Sequence, residues 1–422
     1  MAKFTAAEWK KIRAKLNADP QRYGLPARVY GSIVLASANI RKLGAIDKRD
    51  ADTWHFFADV FRHFDLLAVQ EVLDNMEGLR HLKRLMGNDF GMVVSDTTGA
   101  FPNEDGLDER LAFIFNWKVV NRMELVTDVT YDRSKVVEIV TENSEAITNA
   151  VAAAKKKKKY LKEKKAYEEK LRIFEAEGGR KPKEPKPLIK MPVFVSFIRT
   201  PFGVMFETYG HPGAERYTFM AINAHLYFGD FIDDRRQEVD ALLDWIMGRV
   251  LEGDDNDSLN IVLLGDLNLD FNNPETDRKR IQAKIKQQNH DGGKDVNVYF
   301  PFLDPHPKRP DQQFMCGNGQ ILRTNARLTE TYDQIGIFSR DQRLMKLRNE
   351  DAGLAPRGPD FGVFDFVNLF SEALHGKPFK KLPAAQRKVF VKRFEHKVSD
   401  HMPLWLRLPQ PDVEEGSHVA AP

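Results

Sequence analysis

The run Ser32-Ile33-Val34-Leu35-Ala36-Ser37 carries no polar alternation, and predicts a strand buried on both faces that ends at Asn39-Ile40-Arg41. Before it, Thr5 and Glu8 form a capping-box pattern, and Trp9, Ile12 and Leu16 recur at helical spacing, so a short N-terminal helix is expected. After it, Trp54, Phe57, Ala58 and Phe61 mark one face of a helix over 52–64, which leads into the strand Leu66-Leu67-Ala68-Val69-Gln70-Glu71. A helix over 75–86 and a strand over 90–95 repeat the alternation. Further strands are expected at 111–115, 193–198, 217–224 and 261–264, with a helix over 233–250 and apolar segments at 332–337 and 403–406. Helices alternating with strands, followed by clustered strands, predict layered α/β packing.

One stretch breaks this rhythm. Residues 155–190 hold 13 Lys and 2 Arg against 6 Glu, a local net charge of +9. The segment 143–177 is rich in Ala, Lys, Glu and Leu, spaces Tyr160, Tyr167 and Phe174 seven apart, and stops at Gly178-Gly179. That pattern predicts one long helix with a narrow apolar stripe, followed by an extended proline-rich return over Arg180–Pro187. We read 133–190 as a Lys-rich helical insertion in a loop. A solvated hairpin without a partner is the plain alternative, since charge runs are commonly exposed faces.

The insertion changes how the composition reads. Over 422 residues, 64 Lys+Arg nearly balance 61 Asp+Glu, for a net +3. Outside 155–190 the chain is therefore acidic, at −6. This excludes a uniformly basic nucleic-acid coat and an acidic disordered chain. The single cysteine, Cys316, has no partner for an intramolecular disulfide, which suits a reducing compartment. The N-terminus lacks an apolar run of signal-peptide length, and no stretch approaches the roughly 20 apolar residues of a membrane span. A cytoplasmic protein without a transmembrane segment is expected. The domain reading is an N-terminal helical extension over 1–29, a catalytic domain over 30–409 carrying the insertion, and a disordered tail over 410–422.

Chemistry-bearing residues recur at or just beyond apolar strands: Asn39, Glu71, Glu109-Arg110, Asn223 with His225, Asp266-x-Asn268, Tyr332-Asp333 and Ser399-Asp400-His401. Strand ends gathered at one edge of a sheet are where α/β proteins form sites. Singly, each reads as a turn former or a satisfied core residue. Asp266-x-Asn268 is more specific, because period-two spacing turns both side chains one way and Gly265 allows close backbone approach.

In this order the motifs resemble the endonuclease/exonuclease/phosphatase superfamily, over residues of about 30 to 409, and within it the deoxyribonuclease I type. Val93-Val94-Ser95, the run Glu109-Arg110-Leu111-Ala112-Phe113, and Phe364-Asp365-Phe366 are similar to that type in particular. The resemblance implies a four-layer α/β sandwich, two packed mixed β-sheets flanked by helices, with the basic helical arm inserted. It implies a divalent-metal-dependent endonuclease that hydrolyses DNA, double-stranded in the expected case, to 5′-phosphate and 3′-hydroxyl ends. The alternatives are a phosphatase or phospholipase of the same superfamily, acting on a nucleotide, inositol phosphate or sphingomyelin, and a catalytically silent nucleic-acid-binding module.

Residue by residue, the resemblance assigns Glu71, Asn39 and Asp400 to the metal, with Mg²⁺ expected and Mn²⁺ or Ca²⁺ as alternatives. It pairs His225 with Glu109 and His401 with Asp333 for proton transfer, and gives Asp266 and Asn268 the scissile phosphate and the attacking water. His401 as base and His225 as acid is one order of roles; the reverse stays open. Arg41, Arg110 and Lys190 are the expected substrate contacts, Lys190 standing where the family has an arginine before a strand. Leu73 departs from the family's groove-reading arginine, and the disulfides of the secreted enzyme are absent. The insertion is expected to hold a duplex backbone through its lysines, or a protein partner through Tyr160, Tyr167 and Phe174.

Overall fold

A computed structural model describes residues 3–98, 108–210, 215–252, 260–269, 277–292, 296–302, 323–341 and 361–410. Cys316, the stretch 270–271 and the tail beyond 410 lie outside the described residues. The chain divides into two units. The first comprises Met1–Val129, Ile198–Leu226 and Leu242–Pro422; the second comprises Thr130–Phe197 and Tyr227–Ala241.

The first unit is a four-layer α/β sandwich. One sheet contains β1 (Ser32–Leu43), β2 (Leu66–Leu73), β3 (Phe90–Val94), β4 (Glu109–Asn116), β11 (Phe361–Val363) and β12 (Leu404–Pro409), in the order β11-β12-β1-β2-β4-β3. The other contains β5 (Val120–Asp128), β6 (Phe202–Thr208), β7 (Thr218–His225), β8 (Ile261–Asp266), β9 (Asn297–Tyr299) and β10 (Asp333–Ser339), in the order β5-β6-β7-β8-β10-β9. Each sheet has one parallel pair in its middle, β1·β2 and β7·β8, with antiparallel strands outside it. The C-terminal ends of a parallel pair therefore meet the N-terminal ends of its flanking strands at one edge. That edge carries Asn39, Glu71, His225 and Asp266 from strand ends, and Glu109, Asp333 and His401 from strand starts or just before them.

The central strands are apolar runs because both faces are covered; β8, β10 and β12 are buried throughout. Across the interface between the sheets, Gln70 Nε2 donates to Asn223 Oδ1 at 2.6 Å, and Asn223 Nδ2 donates to the carbonyls of Val69 and Ala112. These bonds satisfy buried amides and fix how the two sheets meet, since an unpaired buried amide costs about 1–3 kcal/mol. Helices α1 (Ala6–Ala18), α2 (Ala51–Phe61), α3 (Glu77–Met86), α9 (Phe366–His375) and α10 (Ala384–Lys397) accompany the first sheet. Their apolar faces are largely aromatic: Phe56 packs on Trp9, Phe57, Phe366 and Phe370, and Phe394 continues the cluster. The capping box of α1 forms as expected, with Thr5 and Glu8 bonding each other's backbone, and Trp9, Ile12 and Leu16 are buried. Beside the second sheet lie α8 (Lys279–Gly292) and the C-terminal part of α7 (Ile232–Glu252), tied by the 2.7 Å ion pair of Lys284 with Asp244.

The second unit contains α4 (Arg133–Glu142), α5 (Ser144–Lys155) and α6 (Lys158–Glu177). The single long helix expected over 143–177 is broken at Lys156–Lys157, where Lys157 takes extended backbone angles inside a run of five lysines. Like charges one turn apart repel, and the break spreads them. Lys157 Nζ lies over the Phe231 ring at 4.9 Å. The strand expected over 193–198 does not form; β6 begins at Phe202. Phe194 and Phe197 instead pack on each other and on Tyr131, so their apolar signal reports an aromatic cluster. No helix among the described residues is long and apolar enough to cross a membrane.

Candidate functional site

Asp266 is the residue around which the strand-end groups assemble. Its ladder neighbours in the second sheet are His225 on β7 and Asp333 on β10, so all three project from one row. His401, immediately before β12 in the first sheet, reaches the same point. His225 Nε2 lies 3.9 Å and His401 Nε2 lies 3.6 Å from Asp266 Oδ2. Asn39, also from the first sheet, donates from Nδ2 to that oxygen at 3.1 Å, while Asp266 Oδ1 accepts from the Asn268 backbone at 3.0 Å.

Each imidazole has a carboxylate behind it. His401 Nδ1 donates to Asp333 Oδ2 at 2.8 Å. His225 Nδ1 stands 3.3 Å from Glu109 Oε2, a close charge contact without a formed hydrogen bond. A carboxylate on Nδ1 fixes the tautomer and presents Nε2 for proton transfer. Glu109 is also paired with Arg199, whose Nη1 donates to the Leu226 carbonyl at 3.3 Å. Burial raises the Glu109 carboxyl, yet the nearby His225 imidazole and the Arg199 charge outweigh it and hold the group below its ordinary value. Asn268 uses its side-chain amide on the Leu226 carbonyl at 2.9 Å.

Backbone geometry at this edge is unusual. Gly265 has φ +153°, and a Cβ there would stand 1.9 Å from the Ala224 carbonyl oxygen, so only glycine lets β7 and β8 approach closely enough. Lys42, Glu71, Asp108 and Asn268 all have φ between 48° and 56° despite bearing side chains. Such left-handed residues cost about 1–3 kcal/mol each and persist where the surroundings over-determine them. At Glu71 a register shift in β2 coincides with the turn, and its Oε2 accepts from the Lys42 backbone at 2.9 Å.

The electrostatics are those of an acid-rich pocket. Burial opposes the charged form of His401, but the fields of Asp333, Asp266 and Asp400 override it and hold the imidazolium well above its ordinary value. Burial raises Asp333 and Asp400; Asp266 adds to the first and Glu71 to the second. Asp333, Asp400 and His401 thus keep their protons more tightly than free groups, the two carboxyls chiefly through burial and the imidazole through the carboxylates around it. Asp266, Asp333 and His401 each offer a ligand atom, and these atoms lie within 4.8 Å of one another. Asn39 Oδ1, Asp333 Oδ1 and Asp400 Oδ1 are buried without a hydrogen-bond partner among the described residues. Surplus charge, partnerless oxygens and a carboxylate–imidazole donor set together fit a divalent cation. The cluster is thus capable of coordinating one.

The expected residues divide as follows. His225, His401, Glu109, Asp333, Asp266, Asn268 and Asn39 come together around Asp266. Glu71 and Asp400 sit beside this group, close enough for Glu71 to raise Asp400, and Arg41 pairs with Asp400 at 3.5 Å. Arg110 is engaged elsewhere, by Asp74 at 2.8 Å, Asp96 at 3.3 Å and the Ser95 carbonyl. Lys190 belongs to the second unit, where it pairs with Asp233 at 2.7 Å. The cation just before β6 is Arg199, which the sequence reading passed over although Arg199-Thr200-Pro201 stands directly before an apolar run. The sequence reading also missed Arg49, which bonds the carbonyls of Arg41, Lys42 and Val398 and so ties the backbone of β1 to the segment carrying Asp400. Burial lowers its guanidinium to about 10 against the opposing fields of Asp400 and Glu71.

No family model matches the chain, and neither does any curated protein. Among solved structures it is similar to an endonuclease/exonuclease/phosphatase family protein from Bacteroides thetaiotaomicron, at 12% identity over 92% of this chain and 98% of that one, with a TM-score of 0.44. It is also similar to D. rerio TDP2 complexed with a single-strand DNA product, at 10% identity over 89% and 98%, with a TM-score of 0.41. A third is the mannosyl-6-phosphatase Bt3783 of Bacteroides thetaiotaomicron, at 12% identity over 89% and 98%, with a TM-score of 0.42.

Proposed function

We propose that this chain is a divalent-metal-dependent phosphoesterase, and that its reaction is endonucleolytic hydrolysis of DNA phosphodiester bonds to 5′-phosphate and 3′-hydroxyl ends. The observation that carries the reading is the pair of imidazoles, each with a carboxylate at Nδ1 and each presenting Nε2 to the same Asp266 oxygen. Hydrolysis needs one proton taken from water and one given to the leaving oxygen, and two histidines on either side of the phosphate supply both transfers. His401, oriented by Asp333, takes the proton from water; His225, backed by Glu109, gives one to the 3′ oxygen. Asp266 and Asn268 align the water, and the Asn39 amide donates toward the phosphoryl oxygens.

The cation would be held by Glu71, Asp400 and the Asn39 amide oxygen, with Asp266 and Asp333 as neighbouring carboxylates and His401 Nε2 left free for the water, and Mg²⁺ is the expected ion for so many hard oxygens. When bound it supplies positive charge that offsets the phosphoryl oxygens and relieves the acid cluster keeping His401 protonated.

Lysines of the second unit support a nucleic-acid substrate. Lys155, Lys156, Lys158, Lys159, Lys162, Lys164 and Lys165 make no ion pair among the described residues; the first two close α5, and the other five crowd the N-terminal half of α6, against its dipole. A phosphodiester backbone offsets charge arranged this way.

The deciding experiment incubates the purified chain with supercoiled plasmid, RNA, an abasic oligonucleotide, inositol phosphates and sphingomyelin, each with Mg²⁺, Mn²⁺, Ca²⁺ or chelator. Chelator-sensitive nicking of plasmid supports the reading. Turnover confined to inositol phosphates or sphingomyelin replaces DNA with a small-molecule or lipid substrate, and no metal-dependent turnover of any phosphoester removes the reading.

A further inference from the structure

A second polar feature of the first unit opens between α10 and the segment preceding β10. This cleft of about 470 Å³ has Arg387, Lys388 and Lys392 along its wall and Arg327 opposite them. Phe379 and Val391 form its apolar floor, and Glu395 is its acid. Arg327 Nε bonds Glu395 Oε1 at 3.0 Å, so one cation of the four is neutralised. Arg387, Lys388 and Lys392 make no ion pair among the described residues.

Nothing in the helix itself calls for this arrangement. Lys388 and Lys392 are four residues apart on one face and repel each other. Arg387 and Lys388 lie near the N-terminus of α10, whose first turn has no acidic residue, so they oppose the helix dipole. Val391 and Glu395 continue the Arg387 row at the same spacing, which places every α10 residue of the cleft on adjoining rows. Phe379 is buried against the Phe390 ring at 5.6 Å, so the floor is fixed.

The cleft is wired to the catalytic cluster by short contacts. Arg41, which pairs with Asp400, donates from Nη1 to the Glu395 carbonyl at 3.1 Å. The Ala326 backbone, next to Arg327, donates to the Asp400 carbonyl at 2.7 Å, and Asn325 forms a backbone bridge with His401. Both walls of the cleft are thus anchored to the backbone or side chain of residues flanking the reacting centre.

We propose that this cleft is an anion subsite that receives a phosphodiester group of the substrate strand next to the scissile linkage, with a sugar or base edge on the Phe379–Val391 floor. The inference rests on the nucleic-acid reading above. It assigns Arg387, Lys388 and Lys392 to substrate binding, a role separate from the chemistry at Asp266.

The test is equilibrium binding of a 12-nucleotide single-stranded DNA and of inorganic phosphate, in chelator so that no cleavage occurs, at several salt concentrations. The proteins are wild type, the double variant Arg387→Ala with Lys392→Ala, and the charge-preserving Arg387→Lys with Lys392→Arg. The alanine variant is expected to bind the oligonucleotide at least tenfold more weakly, with a salt slope smaller by about 0.7 per lost phosphate contact. The charge-preserving variant is expected to keep the wild-type slope, which separates lost charge from a damaged helix. Equal affinity and slope for the alanine variant overturn the proposal. So does wild-type binding of inorganic phosphate without binding of the oligonucleotide. Metal-dependent hydrolysis of bis(p-nitrophenyl) phosphate by wild type judges the phosphoesterase reading independently, so failure of the subsite and failure of the activity are told apart.

Discussion

Asn39, from the middle strand pair of one sheet, donates its side-chain amide to Asp266 at the end of the middle strand pair of the other, at 3.1 Å. The bond crosses the sandwich at the point where the histidines converge. Asn39→Ala removes the donor and leaves a buried carboxylate oxygen short of one partner. We expect a loss of about 1–3 kcal/mol in urea denaturation together with at least a tenfold fall in metal-dependent hydrolysis. Full activity with lowered stability would assign Asn39 to docking of the sheets alone.

His225→Ala and His401→Ala are each expected to lower turnover by about 10²–10⁴-fold with unchanged far-ultraviolet circular dichroism. Groups that serve one transition state are not additive, so the double variant should be little worse than the weaker single variant. Multiplying losses would mean that the two imidazoles contribute independently of each other.

Gly265→Ala tests the close approach of β7 and β8. The new methyl group meets the Ala224 carbonyl in a conformation alanine rarely adopts, so destabilisation well beyond about 1 kcal/mol is expected. A thermal melt within a degree of wild type would show that the strands separate without penalty.

Glu8 gives a prediction in pH. Bonding to Arg393, partly opposed by burial, lowers its carboxyl to about 2, and the two side chains form an ion pair at 2.7 Å between α1 and α10. Because the folded value lies below the unfolded one, the contribution is complete above the ordinary glutamate pKa of about 4.3. It disappears as the pH falls through 2. Glu8→Gln should therefore be less stable than wild type at pH 7, with the difference shrinking on acidification. Urea midpoints measured across that range decide it, and a constant difference would exclude the ion pair as its source.

Deletion of 150–187 addresses the lysines of the second unit. Weaker duplex binding with a flatter salt dependence is expected. Unchanged affinity at every salt concentration removes the segment from substrate binding, and a changed oligomeric state would point to a protein contact through Tyr160, Tyr167 and Phe174.

Strands buried on both faces were legible in the sequence because nothing interrupts their apolar runs, as in Ser32–Ser37 and Ile261–Leu264. β5 escaped because it is an edge strand, with exposed and partly buried positions alternating along a polar sequence. The 193–198 run misled because aromatic residues packed in an irregular segment look like a strand when only their hydrophobicity is read. The same misplacement hid Arg199, which stands just before the strand that does form. Strand-end polar residues could be grouped from their positions, but the closeness of Asp266 to both histidines depends on two ladder registers and on the docking of two sheets, which sequence spacing does not encode. Arg49 was invisible for a related reason: it acts on backbone carbonyls far from it in sequence or outside its own element.

The pairing of β12 with β1 joins the latest described strand to the earliest. His401 and Asp400, just before β12, follow every other member of the cluster in chain order. During synthesis the sheet carrying Asn39 and Glu71 thus stays without its inner neighbour β12 until residues beyond 400 have left the ribosome. The His401–Asp333 hydrogen bond cannot exist earlier. On this topology a chain that ends before β12 lacks the assembled cluster on which the proposed activity depends.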